Sequence, residues 1–173
     1  DLTIVARGAA WARYETKTQS GGVSERACVE HVDRKDFLHE PARKWADVGW
    51  VAKRSWLTKA EMRKRFHKTS GLAYQTATYS VRKDDKDADD GRDKAGVWEV
   101  WSKTHNKVVW VSEGCDKLLD EGEPHLTLEG FFPCPRPAYA TLQRRSLIPL
   151  PDMLFYRDQL EEVNQLTARI DAL

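Results

Sequence analysis

Five aspartates at positions 84, 85, 87, 89 and 90 are the densest set of potential metal ligands in the 173-residue chain. A calcium loop needs acids at its first, third and fifth positions, glycine at the sixth and glutamate at the twelfth. Counted from Asp85, the sixth position is Asp90 and the twelfth is Gly96. The register fails, so the segment reads as a solvated acidic loop. His31, His39, His67, His105 and His125 stand apart, with neither H-x-x-x-H nor H-E-x-x-H spacing to hold zinc or poise a general base. No G-x-S-x-G elbow is present, and no G-x-x-x-x-G-K-[ST] loop cradles a phosphate. Cys28, Cys115 and Cys134 are an odd number at wide spacing without a C-x-x-C pair, which points to free thiols in a reducing compartment. The residues therefore predict no catalytic group, no metal and no cofactor.

Two other chemistries are open to the sequence. Lys53, Arg54, Arg63, Lys64 and Arg65 lie in one basic run, with Trp50 and Trp56 beside it for base stacking, and are candidate phosphate contacts. Against this stands a formal charge of +1 from 28 Lys and Arg and 27 Asp and Glu, because phosphate-gripping domains carry a clear basic excess. A solvated helix face is the simpler account of that run. The second chemistry is apolar packing. Seven tryptophans, Trp98, Trp101 and Trp110 among them, predict wide packing surfaces, some of them between subunits. Phe131 and Phe132, followed by Pro133 and Pro135, predict a rigid clamp that packs on the hairpin tryptophans or on a helix beginning near Pro151.

The elements that must position these groups can be placed from the pattern. LTIVARGAAWARYE near the start reads as extended chain, and 26–33 and 49–57 read as strands rich in Val and Trp. PARKWADV has room for one helical turn. Thr58 and Glu61 have capping-box spacing, and Leu57 and Met62 sit as a hydrophobic staple, which predicts a helix over 59–67. Residues 83–96 hold no large apolar group and predict a mobile acidic loop. The segments 97–103 and 107–113 predict an antiparallel hairpin turned at Asn106, a residue tolerant of left-handed backbone. Residues 114–151 hold six of the seven prolines and read as ordered loop, with short extended pieces near Tyr139 and Ile148. From Pro151 to Leu173 the pattern is one long helix, with Tyr156, Leu160, Val163 and Ile170 on a side expected to pack. The fold expected is α+β: a mostly antiparallel mixed sheet with short helices and one long C-terminal helix, in a single domain over 1–173. No 18-residue apolar run is present, so no membrane contact is expected. The first residue is not Met and the last lies within a helical pattern, so both ends are expected to be cuts in a longer chain.

Three blocks carry a resemblance: PARKWADVGWVAKRSWLTKAEMRKRF at 41–66, VWEVWSKTHNKVVWVSEG at 97–114, and the stretch 128–170, which includes GFFPCPRPAYAT and SLIPLPD. In this order they resemble blocks of the portal, or head–tail connector, proteins of short-tailed bacteriophages and their prophages. The resemblance implies the wing region of a portal subunit, a structural part and not an enzyme. It implies a homo-oligomeric ring, a dodecamer in the family, at one capsid vertex of the virion, assembled in the bacterial host cytoplasm. The implied partners are terminase, capsid and tail proteins and the translocating DNA.

Overall fold

The computed structural model describes residues 6–19, 22–66, 77–78 and 93–171. The fold is α+β. Its contacts divide the chain into two compact units where the sequence pattern leads one to expect one. Unit 1 comprises residues 1–34, 41–48 and 134–173, and unit 2 comprises 35–40 and 49–133. The division is invisible in composition because both units are discontinuous and neither boundary is marked by a polar linker.

Unit 1 is built on a long ribbon. Strands β1 (Arg7–Gln19) and β2 (Gly22–Val32) pair antiparallel, and β9 (Ala138–Tyr139) joins the other edge of β1 at Arg7 and Gly8. Near its base the ribbon buries Ala9, Trp11 and Val32. Further out, one face carries an alternating ladder in which Arg13 meets Glu30 at 3.3 Å and Glu15 at 2.7 Å, and Arg26 meets Glu15 at 3.0 Å. The Arg26 hydrogen bond is the main cause that holds the Glu15 carboxyl below its ordinary range. These pairs are open to water and set register more than stability. Strands β10 (Thr141–Leu142) and β11 (Pro149–Leu150) form a small separate ladder.

Helix α2 (Met153–Asp171) follows. It starts two residues later than the proline pattern suggests. Pro151 and Asp152 lie ahead of it, and Asp152 accepts a hydrogen bond from the Thr141 hydroxyl at 2.9 Å instead of entering the first turn. None of its residues is buried, and Leu160, Val163 and Ile170 are exposed, so the apolar side expected to pack has no cover among the described residues. A helical period reports which residues share a face, not whether that face is covered.

Unit 2 is a six-stranded antiparallel sheet with a short helix. Strands β3 (Phe37–His39), β4 (Trp50–Thr58), β6 (Asp93–Ser102), β7 (Lys107–Ser112) and β8 (Asp120–Gly122) lie in that spatial order, and β5 (Ala77–Thr78) pairs with β6. The β6–β7 turn holds Asn106 at φ 49°, the left-handed conformation its short polar side chain tolerates. Strand β6 begins at Asp93, and Ala95 and Gly96 are buried in it, so the last four residues of the expected mobile loop are sheet. Pairing with Leu57 and Trp56 of β4 orders Ala95 and Gly96 despite their small side chains. The earlier residues of that segment, 83–92, lie outside the described set.

Helix α1 (Lys59–Arg65) has the capping box its sequence predicts. The Glu61 amide donates to Thr58 Oγ1 at 3.4 Å, and the Thr58 amide donates to Glu61 Oε2 at 2.7 Å. Met62 and Phe66 then bury against Ala95, Val97 and Leu119, with Leu57 packed alongside. The cap thus fixes the helix start so that its one apolar face lands on the sheet.

Candidate functional site

Because side chains alternate along a strand, the register of unit 2 defines two faces. On the inner face lie Phe37, Val51, Trp101 and Val108, all 0% exposed, together with Lys53 and Glu99. On the outer face lie Trp50, Ala52, Arg54 and Trp56 of β4 and Trp98, Val100 and Ser102 of β6.

Of the candidate residues, Trp101 and Lys53 are buried on the inner face. Trp101 donates its indole N–H to Glu99 Oε1 at 2.7 Å, and His125 and Phe131 lie against its ring at 4.9 and 6.0 Å. Phe131 in turn meets Phe132 edge-on at 5.6 Å, so the Phe-Phe pair closes on a hairpin tryptophan. Gly130 and Phe131 both have left-handed backbone, at φ 82° and 77°, which turns the Phe131 ring toward Trp101. For a bulky residue that conformation is costly and is held by its surroundings. Phe132 and Pro133 are buried, whereas Pro135 is exposed. Trp110 is partly buried; its indole N–H has no hydrogen-bond partner among the described residues, and the Arg65 guanidinium lies 5.6 Å from its ring centre. In unit 1, Tyr156 is partly buried and Leu160 is exposed.

The basic run does not form one surface. Lys53 is a buried side chain on the inner face, in register with Glu99, and so cannot reach a phosphate backbone. Arg54 points to the opposite face, where Asp36 Oδ1 accepts from its Nε at 2.7 Å and the rings of Trp56 and Trp98 stand 4.7 and 5.0 Å from its guanidinium carbon. Arg65 reaches Glu99 at 3.9 Å. Of the five candidate phosphate contacts, Arg63 and Lys64 are exposed and stand on the outer turn of a seven-residue helix. Strand alternation splits Lys53 from Arg54, a separation that a count of charges in sequence does not see.

The outer face holds an open groove of about 620 Å³. Ala52 and Val100, paired across the strands, form its floor, and Trp50 and Trp98 stand at its two ends. Leu38 walls one side. Glu40, Thr104 and His105 gather at the Trp50 end. Glu40 is placed by its own strand end: its amide donates to the Trp50 carbonyl at 3.1 Å, and its Oε2 accepts from the Gly49 amide at 2.6 Å. A Cβ at Gly49 would stand 2.8 Å from Glu40 Oε2 and 2.9 Å from Thr104 Oγ1, so glycine is what lets the carboxylate and hydroxyl close over the backbone there. Sequence reasoning missed Glu40 and Asp36. The available signal was the alternation of Trp50, Ala52, Arg54 and Trp56, which places indoles on the face away from Val51.

In unit 1, Arg7 and Arg34 line a smaller recess of about 300 Å³ with Ile148, Pro149 and Pro151. Arg7 donates to the Arg34 carbonyl at 3.0 Å, and burial lowers its pKa. Its cross-strand neighbour Tyr139 has a buried hydroxyl without a hydrogen-bond partner among the described residues, and burial raises that phenol.

Burial likewise pushes the Cys134 thiol up to about 12. At pH 8 its thiolate fraction is then roughly one in ten thousand. Iodoacetamide at that pH should label the partly exposed Cys28 and Cys115 of the native protein and spare Cys134, read by peptide mass; equal labelling of all three would show that Cys134 is not enclosed.

Among the described residues no three His, Cys, Asp or Glu side chains converge as a metal site, and no helix is long and apolar enough to cross a membrane. No protein-family model matches the chain, and no curated protein matches it.

Proposed function

We propose that the chain is a structural part of a bacteriophage portal, the ring at a capsid vertex through which the genome is packaged and ejected and to which the tail attaches. The observation that carries this reading is the ordered resemblance of the blocks 41–66, 97–114 and 128–170 to portal wing sequences. The α+β body is compatible with a wing. A 19-residue helix whose Leu160, Val163 and Ile170 are exposed is compatible with a subunit that has neighbours in an assembly. In this reading the partners are further copies in a ring, a dodecamer by family likeness, together with terminase, capsid, tail proteins and the passing DNA. No chemical step belongs to this chain.

The test is negative-stain imaging of the protein expressed at its natural full length. Rings with a central channel are the expected result. Particles that stay monomeric at micromolar concentration, or that associate without closing, would overturn the portal reading.

A further inference from the structure

The outer face of unit 2 shows one cation site filled by the chain itself, and beside it a groove that also holds indoles and a carboxylate. In the first, the Arg54 guanidinium lies between the Trp56 and Trp98 rings, and Asp36 accepts from it at 2.7 Å. Gly96 makes room: a Cβ there would come within 3.1 Å of Arg54 Cδ. Glu113 stands 3.8 Å from the same guanidinium and the Lys35 carbonyl accepts from it at 3.1 Å. Guanidinium over indole faces and beside carboxylate is a favourable arrangement because the ring quadrupole and the carboxylate act on the same charge.

The adjoining groove shares part of these surroundings. Trp50 and Trp98 bound it, Ala52 and Val100 form an apolar floor, and Glu40 supplies one carboxylate. No Lys or Arg lines it. Glu40 Oε2 is used by the Gly49 amide, while Oε1 has no hydrogen-bond partner among the described residues. The volume of about 620 Å³ falls within the range of specific ligand sites and exceeds what one side chain fills. Leu38, 45% exposed at the side wall, extends the apolar surface beyond the carboxylate. From this charge and shape complementarity we infer that the groove is a docking site for a short segment of a partner polypeptide, whose arginine enters at the Trp50–Glu40 end and whose neighbouring apolar side chain covers Ala52 and Val100. The inference is independent of the portal reading and uses none of its premises.

The test is a titration of the whole chain with acetyl-Leu-Arg-Leu-amide, followed by the indole N–H signal of Trp50 in NMR. A matched peptide with citrulline in place of arginine keeps the shape and removes the charge. The arginine peptide should saturate the Trp50 shift below about 10 mM, with the citrulline peptide about tenfold weaker. Glu40→Gln retains an acceptor for the Gly49 amide, so the fold should hold, and it should bring the two peptides to equal affinity. Leu38→Ala, at an exposed position, should weaken both peptides alike and leave their ratio unchanged. Equal binding of the two peptides to the unaltered chain, or no saturation, would overturn the inference. N-ethylguanidinium binding as tightly as the arginine peptide would also overturn it, in favour of a small-cation site.

Discussion

Replacing Trp101 with Ala should destabilise unit 2 by about 3–5 kcal/mol, the usual cost of emptying a fully buried aromatic site. The ring is 0% exposed at the centre of the sheet, so its loss leaves a cavity that β4, β7 and the Phe131 ring are poorly able to close. The same change removes the indole donor from Glu99 Oε1 at 2.7 Å and leaves a largely buried carboxylate with one fewer partner. Against a total stability of about 5–15 kcal/mol, that is enough to bring unfolding close to working conditions. Urea denaturation followed by circular dichroism is the measurement. Trp101→Phe should fall between wild type and Ala, because it keeps most of the buried area and loses the donor. An unchanged midpoint for Trp101→Ala would mean that the sheet is not anchored at this ring.

Removing the carboxylate of Asp36 should be comparably costly. Its side chain is 13% exposed and that of Arg54 is 18% exposed, so Asp36→Ala takes the nearest carboxylate from a guanidinium largely withdrawn from water and leaves it only the Lys35 carbonyl at 3.1 Å and the exposed Glu113 at 3.8 Å. Breaking one half of such a pair costs about 3–5 kcal/mol, whereas replacing both halves by apolar groups is often close to neutral. Asp36→Ala combined with Arg54→Met should therefore recover most of the loss, a non-additivity that a double-mutant cycle measures directly. The exposed Arg157–Glu161 pair on α2, 3.9 Å apart, supplies the contrast. Glu161→Ala should change stability by less than about 0.5 kcal/mol. If Asp36→Ala were as mild as Glu161→Ala, the Arg54 clamp would be incidental to the fold.

Local signals are legible in the sequence where the partners are near in the chain. Thr58 with Glu61, Leu57 with Met62, and the Asn106 turn each involve residues within a few positions, and each forms as its spacing implies. Non-local partners were not legible. Lys53 looks like a surface charge until Glu99 is placed across from it, and Arg54 looks like a phosphate contact until Asp36 and Trp98 close on it from β3's approach and β6. Ala95 and Gly96 look like loop because they have almost no side chain to bury; their order comes from backbone pairing with β4, which composition does not report. Helix α2 shows the opposite failure. Its apolar spacing is real, yet none of its residues is buried. The polar end of the groove is not legible in the sequence either, because Glu40 and Thr104 are brought together only by their approach at Gly49.

The pairing of β1 with β9 has a consequence for the order of synthesis. Arg7 and Gly8 leave the ribosome before any described strand of unit 2, and Ala138 and Tyr139 follow only after all of those strands have been made. The β1–β2 ribbon and the six-stranded sheet can each close on the nascent chain from neighbouring segments. The three-stranded sheet cannot. Its third strand must find an edge made before the whole of unit 2, and closing so long a loop is slow because its entropy is lost before any contact compensates. During that interval the β1 edge is a template that a strand from another nascent chain can occupy, so two chains made side by side on one message risk exchanging β9.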